Sequence, residues 1–263
     1  MNLDSNKEYL DTAIYAAKTA SDLIIKSSKR EIKTFKSQTD LVTETDLASE
    51  KIISDIIKSK YPDHSILAEE SGLKESHSSE YIWVIDPLDG TTNFVHKYPS
   101  YAVSIALINN GEPVVGVVIE MPLMNIYCAT INSPAYCNNN IISCSDTNTL
   151  ILSLLVTGFS YDHNDNWNLN MKLFKEFTDI TQGVRRLGSA AIDFCHTAIG
   201  HVDGFWEFDL NPWDVAAGIL IAKQAGAKIS KLNGDKFSIY DNEVLVTNGH
   251  IHQNMINVFN ELK

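Results

Sequence analysis

The chain has 263 residues, 44% of them hydrophobic, and 33 acids against 21 lysines and arginines give it a formal net charge of −12. That length allows a sizeable core, in one large domain or in two closely packed subdomains. The acidic balance argues against a general nucleic-acid binder, which needs a basic footprint, and leads us to expect a cytoplasmic protein whose handling of any anionic substrate relies on local cations.

The N-terminus has no basic start followed by an apolar block, so no secretory signal is expected. No run of about 18 apolar residues predicts a membrane span. Cys128, Cys137, Cys144 and Cys195 include no C-x-x-C pair. They are expected as reduced, mostly buried thiols rather than a disulfide scaffold or a zinc site.

Leu10, Ile14, Ala17 and Ile24 recur at helical spacing, so the first thirty residues or so read as one amphipathic helix. A second helix follows "DLVTETD" (40–46) and stops at "YPD" (61–63). "SILAEES" (65–71) and "YIWVID" (81–86) read as strands ending in acids. The runs 101–108, 114–120 and 125–130 predict an antiparallel meander, and "CNNNII" (137–142) a hairpin turn in which Asn supplies positive φ. Beyond Leu150 the pattern alternates: strand 150–156, helices near 166–180 and 189–200, and strand "GFWEF" (204–208). A helix from Trp213 to Ala225, strands 227–232 and 244–247, and a helix at 251–262 follow. The class predicted is α+β or mixed α/β, with a largely antiparallel first half.

Each acid has an ordinary structural use. Asp46 and Asp214 suit helix caps, Glu69 and Glu70 a solvated strand end, Asp86 and Asp89 a turn about Pro87. The pattern argues for more. Glu69 and Asp86 end apolar strands, while Asp46, Asp89 and Asp214 stand at helix starts or loop-to-helix junctions, where open α/β architectures place their sites. Carboxylates without His or Cys suit hard cations, magnesium first. "GTTN" after Asp89 offers backbone N–H groups at a helix start, a cradle for phosphate. Carboxylates, metal and phosphate cradle together point to phosphate-ester hydrolysis.

The blocks "DLVTETD", "AEESG", "WVIDPLDGTTNFVHKYP" and "NPWDVAAG" occur in that order. With them the whole chain resembles the inositol monophosphatase family of magnesium-dependent, lithium-sensitive phosphatases. The resemblance implies a layered α-β-α-β-α sandwich, with an N-terminal α+β half (1–145) that carries most metal ligands and a C-terminal α/β half (146–263) that completes the site. It implies two or three Mg²⁺ per site. Glu69, Asp86 and the Leu88 carbonyl would hold the first, and Asp86, Asp89 and Asp214 the second. Thr91 with Asp46 would orient and deprotonate the attacking water, and Glu69 counts with them as catalytic. The phosphate would lie on the N–H groups of Gly90 and Thr91. Gly188, Ser189, Ala190 and Glu207, with Asp89 and Asp214, would contact the rest of the substrate. A lysine expected before "DLVT" is either Lys36 or Lys33.

The activity implied is hydrolysis of inositol monophosphate or a similar polyol or sugar phosphate by a homodimer with no membrane attachment. Fructose-1,6-bisphosphatase and histidinol-phosphate phosphatase activities are the enzymatic alternatives, whereas Thr92 and Asn93 argue against a nucleotide phosphatase. A non-enzymatic alternative is a regulatory interaction protein of the transcription or ribosome-assembly machinery, without direct nucleic-acid binding. Among the remaining residues, His250 and His252 read as a solvated pair and His96 as shaping its loop. Arg185 and Arg186 are left open between anion attraction and surface or interface pairing. Trp83, Trp206 and Trp213 read as packing beside the proposed ligands.

Overall fold

The computed structural model describes residues 3–27, 32–35, 41–74 and 80–262. Helix α1 (Leu3–Lys26) leads to the antiparallel pair β1 (Ile32–Phe35) and β2 (Leu41–Thr43), and then to α2 (Glu44–Lys60). Next come β3 (Ser65–Ala68), β4 (Gly72–Lys74), β5 (Tyr81–Asp89) and the short α3 (Thr91–His96). The meander follows as β6 (Tyr101–Asn109), β7 (Glu112–Met121), β8 (Asn125–Thr130), β9 (Tyr136–Cys137) and β10 (Asn140–Ile141). The remainder alternates: β11 (Leu154–Thr157), α4 (Asp165–Ile180), β12 (Gly183–Arg185), α5 (Ala190–Ala198) and β13 (Gly204–Phe208). It closes with α6 (Pro212–Gln224), β14 (Lys228–Ser230), β15 (Glu243–Thr247) and α7 (His252–Leu262).

Two main sheets result. The larger has the order β10-β9-β8-β7-β6-β5-β3-β4 and the smaller β12-β11-β13-β15-β14. The larger is antiparallel except where β3 runs parallel to β5. In the smaller, β11 runs parallel to both β12 and β13.

Period-two alternation decides which residues face which layer. On β6 and β7, Val103, Ile105, Leu107, Val117 and Ile119 join Ala13, Ala17 and Ile24 of α1 and Ile53 and Ile57 of α2. The intervening Ala102, Ala106 and Val118 face α5 and α6 instead. Small residues set that second spacing: a Cβ on Gly116 would stand 2.8 Å from the Ala217 carbonyl oxygen of α6. In the smaller sheet Val156, Phe205, Val244 and Val246 also face α5 and α6. Leu155, Trp206 and Leu245 turn the other way, onto Leu173 and Phe177 of α4 and Met255 and Phe259 of α7. The layers are therefore α1/α2, large sheet, α5/α6, small sheet and α4/α7, the expected five-layer sandwich. Each large apolar side chain buried in these layers contributes about 1.5–3 kcal/mol, so the alternation strongly fixes the register.

The expected elements are present, with local differences. The strand expected at 150–156 begins with a 3₁₀ turn at Leu150–Leu152, closed by the Ser153 hydroxyl on the Thr149 carbonyl at 2.8 Å. Ile151 and Leu152 are left exposed. The "CNNN" turn uses positive φ at Asn138 and Asn139 as expected. All four cysteines are free, Cys137 and Cys195 buried and the other two half-buried. His252 departs from expectation. It is buried between the Ser230 and Thr247 hydroxyls, at 3.0 and 2.9 Å, because α7 turns that face onto the small sheet. Burial drives its pKa down to about 4. His250 is exposed as expected. Lys36 lies outside the described residues, as does the side chain of Lys33.

Candidate active site

The apolar run before Asp86 keeps β5 buried, and its pairing with β6 slips between Asp86 and Asp89. Pro87, which has no N–H to offer a ladder, stands in that slip. The Leu88 N–H donates to Asp86 Oδ1 at 3.0 Å, and Ser49 of α2 donates to the Pro87 carbonyl at 2.8 Å. Gly90 then turns the chain into α3 with φ +88°, and a Cβ there would come within 3.0 Å of the Gly188 and Ser100 carbonyl oxygens. Only glycine meets both demands without strain.

Asp46 does two things at once. Its Oδ2 accepts the Thr43 N–H at 2.9 Å and the Thr43 hydroxyl, closing a capping box on α2. Its Oδ1 accepts the Thr91 hydroxyl at 2.8 Å. The helix-cap and site readings are therefore compatible, since each uses a different oxygen. Burial lifts the Asp46 pKa although these hydrogen bonds oppose the rise.

Asp89 reaches across to the C-terminal part of the chain. Its Oδ2 accepts the Ser189 hydroxyl at 2.6 Å and the Ala191 N–H at 2.7 Å, at the start of α5. Asn93 ties the same regions together, its amide donating to the Ser100 and Leu187 carbonyls at 2.7 Å each. Asp214, at the third position of α6 after Pro212, accepts the Asn211 N–H at 2.7 Å. Glu50 of α2 accepts the Glu70 N–H at 2.9 Å and so holds the turn that carries Glu69.

These groups surround a cavity of about 300 Å³. Glu69, Asp86, Leu88, Asp89, Gly90 and Thr91 line it from one side. Gly188, Ser189, Ala190, Glu207 and Asp214 complete it, so of the candidate residues only Asp46 stands behind the wall, joined through Thr91. Burial, and then the charges of Glu69, Asp89 and Asp214, push the Asp86 pKa well up. Asp214 is raised by burial and by Asp89 and Glu69. Asp89 is raised by burial against the Ser189 hydrogen bond, and Glu207 by burial to about 8. A protein that crowds buried carboxylates stores repulsion that a bound cation relieves. As the side chains stand, no three acid, His or Cys groups among the described residues form a ready metal-binding group. The donor chemistry nonetheless fits a hard divalent ion: oxygen ligands only, with mutual repulsion already present.

A profile described as "Inositol monophosphatase family" matches residues 5–263. The chain belongs to the inositol monophosphatase family. It is 45% identical over 254 residues to "Phosphatase IMPL1, chloroplastic" of Arabidopsis thaliana, covering 94% of this chain and 68% of that one. It is 40% identical over 228 residues to "Nus factor SuhB" of Vibrio cholerae, covering 86% and 85% of the two chains. The solved inositol monophosphatase from Anabaena superposes with a TM-score of 0.89 at 40% identity, covering 98% of this chain and 97% of that one. The chain is thus an enzyme, a phosphatase of the inositol-phosphate type, in a family that is generally magnesium-dependent. Among the described residues no helix is long and apolar enough to cross a membrane.

Beside the residues expected for this family, the structure adds three. Arg186 lines the cavity, its guanidinium so close to Gly188 that a Cβ there would stand 2.4 Å from Nη1. Of the readings left open for Arg186, attraction of an anion is the one this position favours. Gly158 leaves room for the Glu207 carboxylate, which a Cβ would meet at 1.9 Å. Asp193 lines the cavity from α5 and was not singled out from the sequence. Its signal was a lone acid within the otherwise largely apolar "AAIDFCHTA". The tryptophans act as packing, although Trp83 and Trp206 do so away from the acids. Trp83 donates to His64 at 3.1 Å and Trp206 to Asn170 at 2.6 Å, while Trp213 lines the cavity. His96 is exposed at the end of α3.

Proposed function

We propose that this chain hydrolyses the phosphate monoester of inositol or of a similarly hydroxylated polyol or sugar. The observation that carries the reading is the Asp46–Thr91 pair opening onto the same cavity as Glu69, Asp86, Asp89 and Asp214. We assign two or three Mg²⁺ to Glu69, Asp86, Asp89, Asp214 and the Leu88 carbonyl. Magnesium, when bound, supplies Lewis-acid neutralisation of the phosphoryl oxygens and makes water easier to deprotonate.

The chain's own residues do the rest. Thr91 donates its hydroxyl proton to Asp46, so its oxygen lone pairs are turned toward an incoming donor. As the water oxygen attacks phosphorus, its proton passes to Thr91 Oγ1 while the Thr91 proton passes to Asp46. Burial readies Asp46 to take that proton by raising its pKa. The ester P–O bond breaks on the opposite side, the leaving alkoxide takes a proton from a solvent water, and Asp46 returns the proton it accepted to solvent, so that no net proton is left on the chain. The N–H groups of Gly90 and Thr91 bind the phosphate, and Gly188, Ser189, Ala190 and Glu207 orient the alcohol. The reading places this cavity between halves 1–145 and 146–263, in a cytoplasmic homodimer. A light-scattering mass of two chains is the expected result for the assembly.

The test of the substrate class is phosphate release from myo-inositol 1-phosphate, fructose 1,6-bisphosphate, histidinol phosphate and 2′-AMP, with and without Li⁺. The expected result is preference for the inositol ester and inhibition by Li⁺. Preference for the bisphosphate or the amino alcohol ester would move the chain to that branch. Similarity to the Vibrio cholerae Nus factor SuhB favours a second reading, a regulatory interaction with transcription machinery, in addition to hydrolysis. A partner protein that co-purifies equally with the Asp89→Asn variant would support it.

A further inference from the structure

Asp193 has no part in the chemistry above, yet its state is unusual. It is 1% exposed, and neither carboxylate oxygen has a hydrogen-bond partner. Among the described residues it is the only ionisable side chain buried in that condition. Asp46, Asp86, Asp89 and Asp214 each accept at least one hydrogen bond that fixes their geometry. A buried carboxylate without a donor is costly, and a protein retains one where something else supplies the donor. The α5 dipole favours an acid in the first turn, but an exposed acid would satisfy the dipole equally well.

The surroundings say what kind of donor is missing. Asp193 lines the cavity on the same side as Glu207, and the two carboxyls feel each other's charge. Gly158 gives Glu207 its space, and Asn170 fixes that glycine by donating to its carbonyl at 2.6 Å. Arg186 is the opposing charge, but it is exposed and, among the described residues, makes no ion pair with Asp193. The wall beside Glu207 thus holds one carboxyl, that of Asp193, which no protein donor satisfies.

We propose that Asp193 is a specificity-determining residue which, together with Glu207, accepts hydrogen bonds from hydroxyl or ammonium groups on the alcohol part of the substrate. This rests on the phosphatase reading of the same cavity. An ester whose alcohol carries donors satisfies Asp193. An ester without them leaves it unmet and loses the binding that a matched donor gives.

The test compares kcat/KM for myo-inositol 1-phosphate with that for phenyl phosphate, whose leaving group has no donor. It uses the wild type, Asp193→Leu, which removes the acceptors, and Asp193→Asn, which keeps one. In the leucine variant the inositol-to-phenyl ratio should fall at least about tenfold, mostly through KM, and the asparagine variant should recover part of it. The asparagine variant alone decides the matter if the leucine variant does not fold. An unchanged ratio overturns the proposal, including the case in which both esters slow together, as they would if Asp193 only braced α5 or paired with Arg186. Failure of the folded wild type to hydrolyse either ester is a different result, and it removes the phosphatase reading along with this proposal.

Discussion

On the side of the cavity built by α2, β5 and α3, the acids are already committed: Asp46 holds Thr43 and Thr91, Asp86 holds Leu88, and Asp89 holds Ser189 and Ala191. On the side built by α5 and β13, Asp193 holds nothing and Glu207 is raised to about 8 by burial. The first arrangement fixes oxygens in place before any ligand arrives, as chemistry on the phosphoryl group requires. The second leaves Asp193 without a donor, the feature on which its proposed role toward the alcohol rests. One cavity therefore combines a side whose acids are hydrogen-bonded with a side where the Asp193 carboxylate has no donor.

The contrast can be broken from the rigid side first. Thr91→Val and Asp46→Asn remove the proton path and should each lower kcat by about 10²–10⁴-fold with KM little changed. A loss confined to KM would show that the pair only positions substrate. Asp89→Asn should lower kcat by at least about a hundredfold while the fold survives, because it removes a charge facing the assigned metal and keeps an oxygen for Ser189 and Ala191. Turnover near that of the wild type would remove Asp89 from the metal site.

The last effect concerns stability and lies outside the cavity. His252, held neutral between two hydroxyls, has a folded pKa near 4 against 6.5 in the free side chain. Above pH 6.5 both states are neutral and the full contribution is present. As pH falls through that range toward 4 the unfolded chain takes up a proton and the folded one does not, so stability is lost. The wild type should lose about 2–3 kcal/mol more than His252→Gln over that interval, read as the difference between two urea-denaturation series. Parallel curves would mean that His252 titrates normally in the fold.

The rigid side was legible in the sequence because its geometry is local. "DPLDGTTN" carries its own proline slip, its own positive-φ glycine and its own helix start, and the two capping acids announce themselves by spacing. The recognition side was much less so. Asp193 is one acid in a helix, and nothing in "AAIDFCHTA" tells that both layers around α5 will bury it. Gly158 matters only because Glu207, some fifty positions later, needs its missing side chain. The burial of His252 is hidden for the same reason, since a short amphipathic helix looks solvated until the small sheet is known to cover it. The five-layer sandwich was expected from the family resemblance, not from periodicity, which gave only the element types.

The committed acids are proposed to make a magnesium-dependent hydrolytic site. Its most direct test is phosphate release from myo-inositol 1-phosphate by the wild type with Mg²⁺, after EDTA, and after Mg²⁺ is restored. Release, loss and recovery in that order are expected. Release that continues unchanged in EDTA, or no release from folded protein at any Mg²⁺ concentration, would contradict the proposal.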